Sequence, residues 1–357
     1  LTSAAQSLRD AVVGSLLGMA VGDALGLAYE GLSARRGRRI FGAPDRYRLL
    51  PNRGLISDDS EQACMTAEAL IFAGNDEGRF RGELARRLRW WLVRIPAGIG
   101  LATLRSILKL WVGFSPERSG VRSAGNGPCM RSPLLGAAIG DLSQLHRFVS
   151  ASTRITHLDP RAENGALAVA LASYLASRRP TVSGDEFVAL YLSQIASSAG
   201  EQMAELLSRA ADSVELGHPT SQFAAELGLA RGVTGYVLHT VPVVIHAWLQ
   251  NANSFREAVT AVIQCGGDTD TTGAIVGAIV GSRVGKAGIP PEWQATHAEW
   301  PQSLAWMEGL GNAVGDTLET GTARRPPQLP IVALLARNLL FATIVLAHGF
   351  RRLLPPF

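Results

Sequence analysis

The chain has 357 residues, 47% hydrophobic and 18% charged, a balance that suits a folded body with a large core and excludes a disordered or fibrous chain. Its formal charge of +4 is uneven: Arg324, Arg325, Arg337, Arg351 and Arg352 follow residue 320 with no acid among them, so residues 1–320 are close to neutral. Nothing in that balance demands a basic face to neutralise phosphates, and no nucleic-acid partner is expected.

Along the chain, apolar positions recur every three or four residues. The spacing predicts helices over 10–20 (DAVVGSLLGMA), 81–93 (RGELARRLRWWLV), 165–177 (GALAVALASYLAS) and 200–216. Strand-like alternation is almost absent, so the fold class is all-α. Loop composition marks 31–57, 113–132, 217–222 and 286–292. The first of these, with Arg35, Arg36, Arg38 and Arg39, is long enough to border a site. One compact multi-helix domain is expected over 5–320, with a basic, apolar and helical extension over 321–357.

In that extension, residues 331–350 form an apolar run broken by Arg337, Asn338, Thr343 and His348. Twenty helical residues reach about 30 Å, enough to cross a bilayer. A central arginine makes spanning costly. Packing on the body or on a partner subunit is the first expectation, and membrane contact the second.

Cys64, Cys129 and Cys265 are odd in number and widely spaced, which excludes a disulfide framework and a paired-cysteine zinc site. A reducing, cytoplasmic setting is expected. The start of the chain carries no basic region leading into a long apolar run, and no secretory leader is read there.

Two acidic clusters share a design. Ser57-Asp58-Asp59-Ser60-Glu61 precedes the apolar helix 63–73, and Gly266-Gly267-Asp268-Thr269-Asp270-Thr271 precedes 273–284. Asp, Ser and Thr are ordinary helix caps, so each cluster alone reads as capping. One cap needs one oxygen, however, and adjacent carboxylates repel unless a cation lies between them. Hard oxygen donors in this pattern suit Mg²⁺ or Mn²⁺. His239 and His246, seven residues apart, lack a third-ligand pattern and read as packing histidines. Asp23, in an apolar glycine-rich helix, reads as a buried hydrogen-bond acceptor.

Taken in order, these residues resemble the ADP-ribosylglycohydrolases, the group related to dinitrogenase reductase-activating glycohydrolase. The likeness covers nearly all of residues 8–300. It rests on Gly14, Gly18, Gly22-Asp23-Ala24, Gly26 and Glu30; on Ser57-Asp58-Asp59-Ser60; on Gly125-Asn126-Gly127 with Met130-Arg131; on Thr156-His157; and on Gly266 to Thr271. The resemblance implies an all-α fold around a central cleft with two Mg²⁺ ions held by Ser57, Asp58, Asp59, Asp268, Asp270 and Thr271. It implies that Glu30 contacts the metal centre or its water. Ser123, Gly125, Asn126, Gly127 and His157 would then bind the diphosphate and ribose. The implied substrate is an ADP-ribosylated protein side chain or small molecule, cleaved at the anomeric carbon.

Cleaving a ribosyl bond builds oxocarbenium character. Two metals, if held there, would orient the sugar and activate water, and a carboxylate such as Glu30 or Asp59 would take or relay the proton. Ser57 and Ser60 replace threonines and keep the hydroxyl. Ala124 stands where some relatives carry an aromatic that packs on adenosine. Tyr236 and Trp111 are candidate stacking faces, although both positions suit core packing better. A silent ADP-ribose-binding module, or a two-metal hydrolase of another nucleotide-like substrate, is the alternative.

Overall fold

Helices make up nearly all the regular structure of the computed structural model, which describes residues 3–195 and 198–353 and, for residues 3–6, the backbone alone. The first part holds α1 (Ser3–Gly26), α2 (Ala34–Phe41), α3 (Asp58–Ala73), α4 (Glu77–Val93), α5 (Leu101–Trp111) and α6 (Pro116–Ser119). The middle holds α7 (Ser132–Ala138), α8 (Leu142–Arg154), α9 (Pro160–Arg178), α10 (Gly184–Gln194), α11 (Ser198–Glu215) and α12 (Thr220–Glu226). The last part holds α13 (Val237–Gln250), α14 (Phe255–Ile263), α15 (Thr269–Gly288), α16 (Pro291–Thr296), α17 (Leu304–Thr320) and α18 (Ile331–Arg351). The all-α expectation holds. Sheet among the described residues is one antiparallel pair of two-residue strands, β1 (Leu32–Ser33) and β2 (Gly266–Gly267).

The centre of the body is α1 lying antiparallel against α15. Gly14, Gly18 and Gly22 of α1 face Gly281, Gly277 and Gly273 of α15 in matching register. A Cβ at Gly18 would lie 2.2 Å from the Gly277 carbonyl oxygen, so these backbones approach as closely as glycine alone permits. The register sets the end of α1, with Asp23, beside the start of α15, with Asp270. Pairing of Leu32 with Gly267 and of Ser33 with Gly266 then ties the loop after Glu30 to the same place.

Residues 31–57 are not loop throughout. They contain β1 and α2, whose start is capped by Ser33 Oγ accepting from the Arg36 N–H at 3.4 Å. Four arginines in eight residues gave α2 no apolar period; Phe41 alone of its large side chains is fully buried. Similarly, 113–132 holds α6, 217–222 ends in the first turn of α12, and 286–292 overlaps the ends of α15 and α16.

The C-terminal helix α18 packs on the body with its polar residues inward. Arg337 is buried and donates from Nε and Nη2 to the two Glu299 carboxylate oxygens at 2.8 and 2.7 Å. Asn338 donates to the Arg94 carbonyl at 2.9 Å, and a His348 ring nitrogen lies 3.0 Å from the Ala28 carbonyl. Three of the four breaks in the apolar run thus fasten the helix, while Thr343 is exposed and donates to the Leu339 carbonyl at 2.9 Å within it. Residues 354–357 of the extension lie outside the described residues.

Candidate active site

The two acidic clusters are the first turns of α3 and α15 rather than segments before them. Capping consumes little of their oxygen. Ser57 is the cap of α3, accepting from the Asp59 N–H at 3.2 Å. Asp268, at the cap position of α15, makes no side-chain capping bond; its Oδ2 accepts from Asn126 Nδ2 at 2.7 Å instead. Glu61 also leaves the cluster. It accepts from Trp91 Nε1 at 2.7 Å and faces Arg337 at 3.7 Å.

Behind α3, Asp23 is wholly buried and accepts from the Ser57 N–H at 2.9 Å and from Ser60 Oγ at 2.5 Å. Burial pushes its pKa up to about 6 against the pull of those bonds. As the sequence suggested, Asp23 is a structural acceptor that clamps the α3 start to the end of α1. Across the gap, Thr271 Oγ1 donates to Asp59 Oδ2 at 3.1 Å, and Ser57 Oγ lies 3.2 Å from the same oxygen.

These starts meet in a cavity of about 370 Å³ lined by Glu30, Ser57, Asp58, Ser123, Gly125, Asn126, Gly127, His157, Asp268, Asp270 and Thr271. Every candidate site residue except Asp59 lies on that wall. Asp59 sits one layer behind, 1% exposed, and reaches the wall through Ser57 and Thr271. A larger open groove of about 1050 Å³ runs past Asp10, Lys286 and Glu308, without two carboxylate-bearing helix starts. Volume alone does not locate the chemistry.

Burial and mutual repulsion hold Asp58, Asp59 and Asp270 well above the usual carboxylate range. Asp58 feels Asp23 and Glu61, Asp59 feels Asp58 and Asp23, and Asp270 feels Glu30 and Asp268. Glu30 is raised too, by desolvation and then Asp268, with Arg352 opposing. Two buried oxygens, Asp59 Oδ1 and Asp270 Oδ1, have no hydrogen-bond partner among the described residues. Carboxylates crowded this way, with two oxygens unsatisfied and hydroxyls beside them, fit hard divalent cations. No three His, Cys, Asp or Glu side chains among the described residues already form a coordination cluster; the donors share the cavity without being drawn to one point.

On the opposite wall, His157 is buried and held neutral, its pKa lowered to about 3 by desolvation and then by Arg131. Its Nδ1 lies 2.9 Å from Thr156 Oγ1. A Cβ at Gly127 would stand 3.0 Å from the imidazole, so the loop needs glycine to lie on the ring. The Gly125 N–H bonds Ser123 Oγ at 3.3 Å, and the Asn126 N–H bonds the Gly235 carbonyl at 2.9 Å. Of the three loop N–H groups, that of Gly127 alone has no partner among the described residues. The Asn126 side chain orients Asp268 and Thr240 rather than pointing freely into the cavity.

Sequence reasoning gave no site role to several parts of the wall, Leu27 and Gly235 among them. Ala97, Gly98 and residues 100–103 line it, Gly98 with φ +89° and so close that a Cβ would lie 2.9 Å from Asp58 Oδ1; the small-residue spacing Ala97-Gly98-Ile99-Gly100 was the available signal. Met130 lines it beside the loop, and Val345 of α18 lines it from the tail, which no local pattern announces. Tyr236 flanks the loop, its backbone bridged to Gly125. Trp111 is exposed and packs edge-on against Trp90 away from the cavity, so it is neither core nor wall. His246 packs as expected, stacked on Phe223, and Cys64, Cys129 and Cys265 are all buried and unpaired.

A family model described as ADP-ribosylglycohydrolase matches residues 4–325. A protein of Archaeoglobus fulgidus, named only as uncharacterized, is 32% identical over 78% of this chain and 88% of its own length. The ADP-ribosyl-(dinitrogen reductase) glycohydrolase of Rhodospirillum rubrum is 25% identical over 80% of this chain and 90% of its own. A solved structure titled ADP-ribosylglycohydrolase-related protein complex superposes with a TM-score of 0.63 at 26% identity, covering 88% of this chain and 99% of that one.

Proposed function

Because the chain belongs to the ADP-ribosylglycohydrolase family, we infer that its cavity hydrolyses the glycosidic bond between ADP-ribose and an acceptor, a protein side chain or small molecule, with two Mg²⁺ or Mn²⁺ ions as cofactor. The observation that carries this reading is the pair of carboxylates Asp59 and Asp270, each leaving a buried oxygen without a partner where two helix starts meet.

Cleavage at the anomeric carbon demands a rigidly held ribose and a delivered water. Two divalent cations, when bound, supply the positive charge that orients ribose hydroxyls and makes water a stronger nucleophile. Ser57, Asp58, Asp59, Asp268, Asp270 and Thr271 are the residues that would hold them. Asn126 fixes Asp268, and Asp23 fixes the backbone of Ser57.

Of the two candidates for proton transfer, Glu30 is favoured. It lines the cavity, whereas Asp59 lies behind it. Neutral His157 offers a hydrogen bond without added charge, and the Gly127 N–H with Ser123 Oγ suits a phosphate or ribose oxygen.

No observation favours the silent binder, since both acidic starts keep every oxygen donor. Arginine-linked and serine-linked ADP-ribosyl peptides, incubated with the pure chain and Mg²⁺, should test the reading. Release of ADP-ribose from at least one, stopped by EDTA, is expected. Saturable ADP-ribose binding with release from neither would replace hydrolysis by binding.

A further inference from the structure

An ordinary surface helix buries its apolar stripe and shows charge to water. In α18 polar residues share the buried face with Leu334 and Phe341. Arg337, Asn338 and His348 face the body, while Val332, Leu339, Leu340, Leu346 and Phe350 are exposed, with Leu353 just beyond the helix. Between residues 331 and 350 the exposed face carries no charge at all. A patch of this kind on a soluble body marks a contact surface.

The surroundings of the patch indicate what it meets. Helix α2 docks at the C-terminal end of α18 through Phe41, stacked on His348 with ring centroids 5.3 Å apart, and through Arg36, which donates to the Arg352 carbonyl at 2.6 Å. This places α2, which carries the exposed Arg35, Arg38 and Arg39, at the same end of α18 as the exposed Arg351. Exposed Arg325 precedes the other end. Neither α2 nor α18 contains an acid. A second copy packed face to face would bring arginines together with no counter-charge between them. A leaflet with anionic headgroups satisfies both the stripe and its flanks.

We propose that α18 is an interfacial anchor: it lies along an anionic lipid surface on its apolar face while its polar face stays latched to the body. It does not span, because spanning would break the Arg337–Glu299 pair and carry Arg337 into hydrocarbon. The anchor does not depend on the hydrolase reading.

The test is co-sedimentation of the full chain with vesicles of phosphatidylcholine alone or doped with phosphatidylglycerol. The expected result is binding to the doped vesicles that weakens as salt is raised. Leu346→Glu with Phe350→Glu should lower partitioning by roughly tenfold or more, with circular dichroism and melting temperature unchanged. Arg35→Glu with Arg39→Glu should lose about tenfold on doped vesicles only. No binding by the unaltered chain, or binding that ignores both variants, would overturn the proposal. So would a dimer in light scattering that Leu346→Glu dissociates while vesicles go unbound.

Discussion

Thr271 Oγ1 donates to Asp59 Oδ2 at 3.1 Å across 212 residues of chain, joining the first turns of α3 and α15 at the back wall of the cavity. A hydroxyl bonded to a carboxylate that also keeps an unsatisfied oxygen is a donor set waiting for charge. Thr271→Val keeps the shape and removes the bond. Affinity for Mg²⁺, measured by calorimetry, should fall by about 10–100-fold. Mg²⁺ is expected to raise the melting temperature; Asp59→Asn should abolish that rise while leaving the metal-free melting temperature equal or higher, because one repelling buried charge is gone.

The close approach of α1 to α15 makes a sharp packing prediction. Gly18→Ala puts a methyl 2.2 Å from the Gly277 carbonyl oxygen, and the helices must separate. Urea unfolding should report a loss of about 3 kcal/mol. Gly82→Ala, on the exposed side of α4 with open space around it, is the control and should gain about 0.4–1 kcal/mol.

How much of this was legible beforehand divides by range. Asp23 as a buried acceptor and the two acidic helix starts were readable, because cap-like residues in excess of what a cap needs are a local signal. Their meeting was implied by the resemblance to the family and not by any local pattern, because it depends on Gly14, Gly18 and Gly22 packing against Gly281, Gly277 and Gly273. Helix α2 was hidden because its order comes from Phe41 and Arg36 contacts, not from an apolar period. The polar residues of α18 were visible as interruptions; which face would turn to the body was a tertiary question.

Arg337 tests that last point. It carries a bidentate pair to Glu299 and a bond to the Ile56 carbonyl, next to Ser57. Arg337→Met leaves Glu299 and Glu61 buried without their cation and should cost about 3–5 kcal/mol in chemical unfolding. Adding Glu299→Gln should restore much of the loss. A small effect of the single change would mean that α18 is not held by this pair.

His246 sits between Thr220 Oγ1 at 3.1 Å and Ser213 Oγ at 3.2 Å, with burial lowering its pKa to about 4 against the opposing pull of Glu226. Its folded pKa lies below the unfolded 6.5, so the stability it contributes is complete above that value and drains away as pH falls towards 4. The loss amounts to at most about 3 kcal/mol. His246→Gln should flatten this part of the melting-temperature profile. An unchanged slope between pH 6.5 and 4 would show that His246 titrates normally.

The central claim is that two distant helix starts together hold divalent cations, and counting bound ions tests it most directly. Equilibrium dialysis against Mn²⁺, read by electron paramagnetic resonance, should find two ions per chain that Mg²⁺ displaces. Asp58→Ala on one helix or Asp270→Ala on the other should each empty the site. Stoichiometric binding that survives both substitutions, or no binding by the unaltered chain, would contradict the account.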